Sequence, residues 1–263
     1  MFIREMKVNF KSFLIWLSIL LVLFLIVFLV YPSIISNENI EMIDELMKMF
    51  PKEVLKAFNM DIASMDSAYG WLKSEGFVFI LLIIGCYSGL VGSNILLKEE
   101  NDKTIEYLNS LPVKRKSVVL SKVACGLIYI SLMIIVLGVF NFFCLLFSGN
   151  FDKNQYLLLS LTPFFSCFVI FFLCLFISTF THKSKKMLGV SLGIVFISYF
   201  LQVLSQIADS VEFFKYFSIF TLSDVRSVIL DSSIGLGVVG ISIFLSLVFL
   251  LLTIYRYNKK ELV

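Results

Sequence analysis

The sequence predicts an all-helical integral membrane protein with six transmembrane helices and both chain termini in the cytoplasm. Hydrophobic residues make up 59% of the 263 residues, and charged residues only 16%, against about 25% in soluble domains. Apolar runs long enough to cross a bilayer as a helix recur along the chain. Basic residues are concentrated in alternate connections between these runs, as they are in multi-pass membrane proteins.

Six apolar segments are the predicted transmembrane helices of one membrane domain that covers residues 1–263. They lie at about 12–30, 76–97, 123–147, 156–180, 187–207 and 233–255. The first holds 16 Leu, Ile, Val or Phe residues in the 18 positions from Phe13 to Val30, which favours membrane insertion by roughly 6 kcal/mol. No small-residue cleavage site follows it at Tyr31 and Pro32. We therefore expect this segment to remain in the protein as the first span.

The orientation follows from the tendency of Lys and Arg to concentrate in short cytoplasmic loops. With both termini inside, the cytoplasmic segments hold 15 of the 22 Lys and Arg residues, and the outside holds the other 7. An even number of spans is consistent with this distribution.

Two predicted outer segments are too polar to span a bilayer but carry apolar residues. In the outer loop 31–75, apolar residues recur at spacings of three and four on both sides of Pro51, which predicts two short amphipathic helices on the membrane surface. The outer interfacial segment 208–232 is rich in aromatic residues. This pattern is typical of an interfacial or re-entrant element, and equally of an aromatic belt that anchors helix ends.

The sequence offers no catalytic or cofactor site. It contains no GxxxxGK[ST] motif, so we expect no ATP binding by that route. His182 is the only histidine and lies among lysines, which excludes HExxH zinc sites and Ser/His/Asp triads and favours a solvated basic cluster. The five cysteines lie in apolar stretches, where free cysteine acts as a small hydrophobic residue. We expect no enzyme activity, no metal, no cofactor and no nucleic-acid partner.

Polar and small residues within the spans are the remaining candidates for a transport path and for helix packing. The core of each predicted span lacks Asp, Glu, Lys and Arg, which disfavours ion-coupled transport and voltage gating. Four amides could line a translocation path or form interhelical hydrogen bonds: Asn94, Asn141, Gln202 and Gln206. Small residues one turn apart predict close helix contacts, within the subunit or across a dimer, at Gly85, Gly89, Ser93, Gly189 and Gly193.

The most informative segment is the predicted cytoplasmic loop 98–122. Its residues from Glu100 to Ser110 can form a helix with Ile105 and Leu108 on one face, and Pro112 ends it. A short helix that is apolar on one side and charged on the other can dock in a groove of a partner protein. An ordinary solvated connector fits the same periodicity.

This loop resembles the coupling segment of ABC-2 type permeases, the membrane-spanning subunits of ABC exporters. Thr104, Pro112, Arg115 and Lys122 match the order and spacing of the family's motif. Residues of the expected types occupy five further positions: Glu99, Glu100, Glu106, Leu108 and Leu111. Lys103 departs from the pattern, because a glycine usually precedes the threonine. The opening residues, the six spans and the long first outer loop are also similar to those of the family.

The resemblance implies a complex of two permease subunits, identical or homologous, with two cytoplasmic ABC ATPase subunits that bind ATP and Mg. It also implies that the loop after the second span seats on the ATPase. Substrates of the family include antibiotics, peptides, lipids and polysaccharides. Because the spans lack charge, we expect export of a hydrophobic or amphipathic compound, such as an antimicrobial peptide, across the bacterial cytoplasmic membrane. The alternative function is that of a non-transport membrane scaffold or assembly subunit.

Overall fold

The structure, a computed structural model, describes residues 2–34, 49, 67–102, 114–207, 209–225, 228 and 233–260. Within these ranges, six helices are long and apolar enough to cross a membrane, which confirms the predicted number of spans. They are α1 (Phe2–Ile34), α2 (Ala68–Asn94), α4 (Arg115–Ser148), α5 (Lys153–Ser178), α6 (Ser184–Ile207) and α7 (Leu236–Lys259). The four-residue helix α3 (Lys98–Asn101) follows α2. Two 3-10 helices, Asp209–Tyr216 and Ile219–Ser223, lie between α6 and α7.

Several helices extend beyond the apolar runs from which they were predicted. α1 begins at Phe2, ten residues before the predicted span, and α4 begins at Arg115 rather than near 123. A hydropathy pattern detects only the part of a helix that is apolar enough for the hydrocarbon core of the bilayer. Polar residues can continue the same helix into the headgroup region. As a consequence, Lys122 lies about two turns inside α4 and not in a loop.

The sequence between α4 and α5 explains where these two helices end and begin. Gly149 has a φ of +144°, a conformation that glycine adopts readily, and it ends α4. The Asp152 carboxylate then caps α5 by accepting the backbone N–H groups of Asn154 and Gln155 at 2.9 and 3.1 Å. The connection is therefore short, and α4 and α5 are antiparallel neighbours.

The start of α2 lies inside the predicted outer loop. The Ser67 hydroxyl caps this helix by accepting the Gly70 N–H at 3.0 Å, and a π-helical stretch, Leu72–Gly76, continues it. The second span thus begins eight residues before its predicted start at 76. The two amphipathic helices predicted on either side of Pro51 lie outside the described residues.

The helix α5 is the centre of the bundle. It packs against α2, α4, α6 and α7. In the most apolar part of each helix, the buried share is 56% for α5, but only 17% for α1, 22% for α6 and 11% for α7. α1 packs mainly on α4, and α6 packs on α2. The three outer helices therefore keep broad apolar faces that lipid or another subunit can cover.

The second 3-10 helix is anchored in the bundle beside a proline of α5. Pro163 has no N–H to donate to the carbonyl of Leu159, and the Thr162 hydroxyl donates to that carbonyl at 2.9 Å. The Ser223 hydroxyl donates to the Thr162 carbonyl at 2.5 Å and accepts the Ser166 N–H at 3.3 Å. Ser223 therefore binds the backbone of α5 in the turn that contains Pro163.

Aromatic residues of the predicted interfacial segment divide into a buried and an exposed group. Phe220 is 1% exposed and packs between α2, α5 and α6, whereas Phe213, Tyr216 and Phe217 are more than half exposed. The second 3-10 helix of the segment is thus a packed element of the bundle. For the exposed rings of its first half, membrane anchoring stays a prediction.

The start of α1 and the end of α7 lie at the same end of the bundle. At the start of α4, the Arg115 guanidinium donates to the carbonyls of Asn258 and Lys260, at the end of α7, at 3.2 and 3.0 Å. Further along α4, Lys122 lies 3.3 Å from Glu5 of α1. We call this end the terminal end. The connection between α4 and α5 lies at the opposite end.

Candidate functional site

A buried ion cluster lies at the terminal end, centred on Lys122 of α4. The Lys122 ammonium donates to both carboxylate oxygens of Glu99 at 2.7 Å and to the Ile95 carbonyl at 2.7 Å. A carboxylate oxygen of Glu5 lies 3.3 Å away. Lys122, Glu99 and Glu5 are 0%, 4% and 3% exposed. Because a buried charge is costly unless it is paired, this cluster holds α1, α3 and α4 together.

The next residue of α3, Glu100, connects this helix with a different set of elements. Its carboxylate accepts hydrogen bonds from Lys260 at 2.8 and 3.1 Å and lies 2.8 Å from Nδ1 of His182. The Lys260 ammonium also donates to the Thr181 carbonyl at 2.8 Å. Glu100 thereby joins α3 to the connection between α5 and α6, and to the end of α7.

We call six residues the hub: Glu99 and Glu100 of α3, their partners Lys122, His182 and Lys260, and Glu5, which pairs with Lys122. The two glutamates of α3 are adjacent in sequence but have separate partners. Only a three-residue turn separates α3 from α2. The hub is therefore connected to all six long helices, and the predicted coupling segment continues the chain just beyond α3.

The structure places four of the predicted coupling residues. Glu99, Glu100 and Lys122 belong to the hub, where their side chains contact other helices of the same chain. Arg115 binds backbone carbonyls at the end of α7. Six residues lie outside the described part of the chain: Thr104, Ile105, Glu106, Leu108, Leu111 and Pro112. The geometry of Glu99 and Lys122 suits the positioning of the coupling segment more than direct contact with a partner.

Three hub residues were missed by the sequence analysis: Glu5, His182 and Lys260. His182 was interpreted as part of a solvated cluster; its side chain is 51% exposed, yet one ring nitrogen contacts the buried Glu100. A signal existed for Glu5, because it is the only acidic residue among the first 37 residues. The sequence gives no comparable sign that Lys260 approaches Glu100.

The predicted small-residue face of α2 packs closely within the subunit. A Cβ added at Gly85 would lie 3.0 Å from the Phe220 ring, and one at Gly89 would lie 3.4 Å from the Ser191 Cβ. The Ser93 hydroxyl accepts a hydrogen bond from that of Ser191 at 3.4 Å. α2 therefore contacts α6 and the second 3-10 helix through this face.

The predicted small-residue face of α6 is open. A Cβ added at Gly189 or Gly193 would meet no atom within 4 Å in the part of the chain that the structure describes. These two glycines therefore do not form the intrasubunit contact with α2, which Ser191 makes instead. The alternative, a contact across a permease dimer, stays a prediction.

Two glycines that were not selected from the sequence lie in close helix contacts. A Cβ added at Gly92 of α2 would lie 2.4 Å from the Phe171 carbonyl oxygen, and one at Gly126 of α4 would lie 2.5 Å from the Phe171 ring. Phe171 of α5 thus packs its backbone on one glycine and its ring on the other. The spacing from Gly85 through Gly89 to Gly92 is i, i+4, i+7, which is a single helix face and could have identified Gly92.

The four predicted path amides occupy three separate places. Asn94 lines a cavity at the terminal end, between α1, α2 and α6. Gln202 and Gln206 line a smaller cavity beside the second 3-10 helix. Asn141 is buried in α4. Within the described ranges, Asn141 Oδ1 and Gln202 Oε1 are buried without a hydrogen-bond partner. The four amides do not converge on one continuous path in this structure.

Comparison with known proteins assigns the chain to a family. The family model described as ABC-2 family transporter protein matches residues 1–262. The chain belongs to the ABC-2 transporter family. No curated protein and no solved structure matches it.

Membership confirms the resemblance that was recognised in the segment around residues 99–122. With six membrane-capable helices, this ABC-2 protein is a multi-pass membrane protein, and its family implies partnership with an ABC ATPase. The match assigns no role to individual residues. Roles for the hub and for the cavity at the terminal end are therefore proposed from their geometry.

Proposed function

We propose that this ABC-2 protein is the permease subunit of an ABC exporter, and that the hub transmits movements of the ATPase to the membrane helices. The observation that carries this proposal is the position of α3. This helix directly precedes the segment that resembles the family's coupling segment, and its two glutamates tie it to the other helices. ATP and Mg bind in the separate ATPase subunit, and the permease itself is not an enzyme.

In this proposal the terminal end of the bundle is cytoplasmic. The distribution of basic residues supports this orientation, because it places 15 of the 22 Lys and Arg residues on that side. It also places the hub next to the compartment in which the ATPase hydrolyses ATP.

Burial of its carboxylates is what suits the hub to transmission. Exposed ion pairs contribute only about 0–1 kcal/mol and are weakened by salt. Removing one partner of a buried pair costs roughly 3–5 kcal/mol, because the other charge remains buried. Glu99 and Glu100 are 5% and 2% exposed at their side chains. α3 therefore moves together with the helix ends to which it is paired.

The substrate class follows from the membrane part of the bundle. The apolar spans suit a hydrophobic or amphipathic compound, such as an antimicrobial peptide, an antibiotic or a lipid-like molecule. Stimulation of ATPase activity by candidate substrates, measured in the purified complex of permease and ATPase, distinguishes a transporter from a scaffold. A scaffold would show no stimulation by any substrate class.

Truncation of Leu108 to alanine is expected to release or uncouple the ATPase, while the permease still inserts normally. Burial of a leucine contributes about 1.5–3 kcal/mol, which is about tenfold or more in affinity. The measurement is the amount of ATPase that copurifies with the tagged permease, determined beside permease abundance in the membrane.

The matched control is Lys116→Ala, because Lys116 is exposed near the start of α4 and an exposed ion pair contributes only about 0–1 kcal/mol. We expect this variant to retain most of the ATPase. Full ATPase retention together with undiminished transport in Leu108→Ala would remove the coupling role of the segment and leave it a simple connector.

A second permease subunit, identical or homologous, completes the proposed complex, and the open face of α6 is a candidate contact. Replacement of Gly193 with leucine is expected to leave the subunit fold intact, because the added side chain enters open space. If a helix of the second subunit contacts this face closely, the leucine would force the two helix backbones apart. The cost would be about 1–3 kcal/mol, or roughly tenfold in dimer affinity.

The dimer fraction of the purified permease, measured by light scattering over a dilution series, checks this expectation. Gly240→Leu in α7 is the control, because a Cβ at Gly240 also meets open space among the described residues. Equal dimer fractions in the two variants would place the subunit contact away from the Gly189 and Gly193 face.

A further inference from the structure

A cavity of about 630 Å³ opens at the terminal end between α1, α2 and α6, next to the hub. Its volume lies within the range of about 300–1,000 Å³ that is typical of small-molecule sites. The cavity opens at the surface of the protein, where its lining residues Asn101, Asp102 and Lys185 are exposed.

The lining changes from polar to apolar along the two antiparallel helices α1 and α2. On α1, Asn9 is followed seven residues later by Trp16, and on α2, Tyr87 is followed seven residues later by Asn94. Seven helical residues span about 10 Å. The Trp16 and Tyr87 rings lie together, with centroids 6.0 Å apart. The cavity therefore has an aromatic floor about 10 Å deeper than a level of amide groups.

The mouth of the cavity carries a net positive charge. Lys98 of α3 and Lys185 of α6 line it, together with one carboxylate, Asp102. Among the residues that the structure describes, neither lysine makes an ion pair or a side-chain hydrogen bond, whereas Lys122 and Lys260 nearby are paired with glutamates. Two ammonium groups that have no carboxylate partner among the described residues thus face one opening, above an apolar floor.

We propose that this cavity binds an amphiphile with an anionic head group, such as a carboxylate or a phosphate monoester. The head group lies between Lys98 and Lys185, and the chain extends past Asn94 to the rings of Trp16 and Tyr87. An anion without an alkyl chain has no apolar part to bury against the floor. An uncharged amphiphile leaves both ammonium groups without a partner. The assignment of this site to the cytoplasmic leaflet rests on the proposed function, whereas the binding itself requires no ATPase.

The two tryptophans of the chain, Trp16 and Trp71, allow a direct test on the full-length protein in non-ionic detergent. In the Trp71→Phe variant, Trp16 is the single tryptophan reporter at the cavity floor. The probes are a dibrominated long-chain fatty acid, in its ionised form, and the methyl ester of the same acid. Bromine quenches tryptophan fluorescence at short range, so these probes report occupancy of the floor and differ only in head-group charge.

We expect saturable quenching of Trp16 by the acid at concentrations about tenfold lower than by its ester, since a hydrogen bond to a charged group is typically worth a factor of this size. Lys98→Gln and Lys185→Gln should each raise the half-saturating concentration of the acid by about tenfold and leave that of the ester unchanged. Inorganic phosphate should compete only weakly, because it lacks a chain.

Two controls separate the site from general effects. Lys186→Gln removes a neighbouring exposed lysine that does not line the cavity, and it should leave quenching by the acid unchanged. In Trp16→Phe, the remaining Trp71 lies at the start of α2, far from the mouth, and should be quenched equally by acid and ester.

Equal quenching of Trp16 by the acid and its ester would overturn the proposal, and so would equal effects of Lys185→Gln and Lys186→Gln. If inorganic phosphate displaced the acid at concentrations similar to those of the acid, the site would bind a simple anion and not an amphiphile. That result would overturn the proposal as well. Leu108→Ala should leave the quenching unchanged, so that a failure of ATPase coupling and a failure of this site are distinguishable.

Discussion

Replacement of Lys122 with methionine is expected to destabilise the permease by roughly 3–5 kcal/mol, the usual result of removing one partner of a buried ion pair. Methionine fills a similar volume but leaves the carboxylates of Glu99 and Glu5 facing each other in a buried site. It also leaves the Ile95 carbonyl at the end of α2 without the ammonium that it accepts at 2.7 Å. The measurement is the thermal unfolding midpoint of the purified permease, with its abundance in the membrane.

The control for this prediction is Lys116→Met, which makes the same chemical change at an exposed position of α4 and should alter stability by less than about 0.5 kcal/mol. The double variant Lys122→Met with Glu99→Gln should recover part of the loss, because it removes one of the two uncompensated carboxylates. If Lys122→Met proved as stable as Lys116→Met, the ion cluster would have no part in holding α1, α3 and α4 together.

The six spans were predictable because each depends on a local property of the sequence. An apolar run of about 20 residues inserts as a helix whatever its neighbours are, and the six runs became α1, α2 and α4 to α7. The helix starts were less predictable. Polar residues such as Arg4 and Lys116 give no hydropathy signal, although they lie in the same helices as the apolar runs that follow them.

The hub was not predictable, because it depends on which distant residues the fold brings together. Glu99 and Lys122 were selected because the segment resembles a family motif. Such a motif indicates the kind of segment, but it does not indicate which residue each side chain contacts. Glu5 lies 117 residues from Lys122 in sequence, and Glu100 lies 160 residues from Lys260. Such pairs depend on how the helices are arranged around α5. No local pattern in a single sequence indicates that arrangement.

Replacement of Gly92 with alanine is expected to separate α2 from α5, the pair of helices with the most extensive contact in the bundle. The added Cβ would lie 2.4 Å from the carbonyl oxygen and 3.2 Å from the carbonyl carbon of Phe171. A backbone group cannot rotate away as a side chain can, and the Phe171 ring is held on its other side by Gly126. We expect a loss of about 1–3 kcal/mol or more, measured as a lower unfolding midpoint.

The comparison with other glycines makes this prediction specific to close helix packing. Gly138→Ala in α4 places its Cβ 3.6 Å from the Ser160 Cβ of α5, an ordinary contact, and alanine favours a helix over glycine by up to about 1 kcal/mol. Gly138→Ala should therefore be neutral or stabilising. Gly126→Ala should lie between the two, since its obstacle is the edge of a ring that can shift slightly. Equal unfolding midpoints for Gly92→Ala and Gly138→Ala would show that α2 and α5 are not in backbone contact at Phe171, and the order of the three variants tests how closely these helices approach.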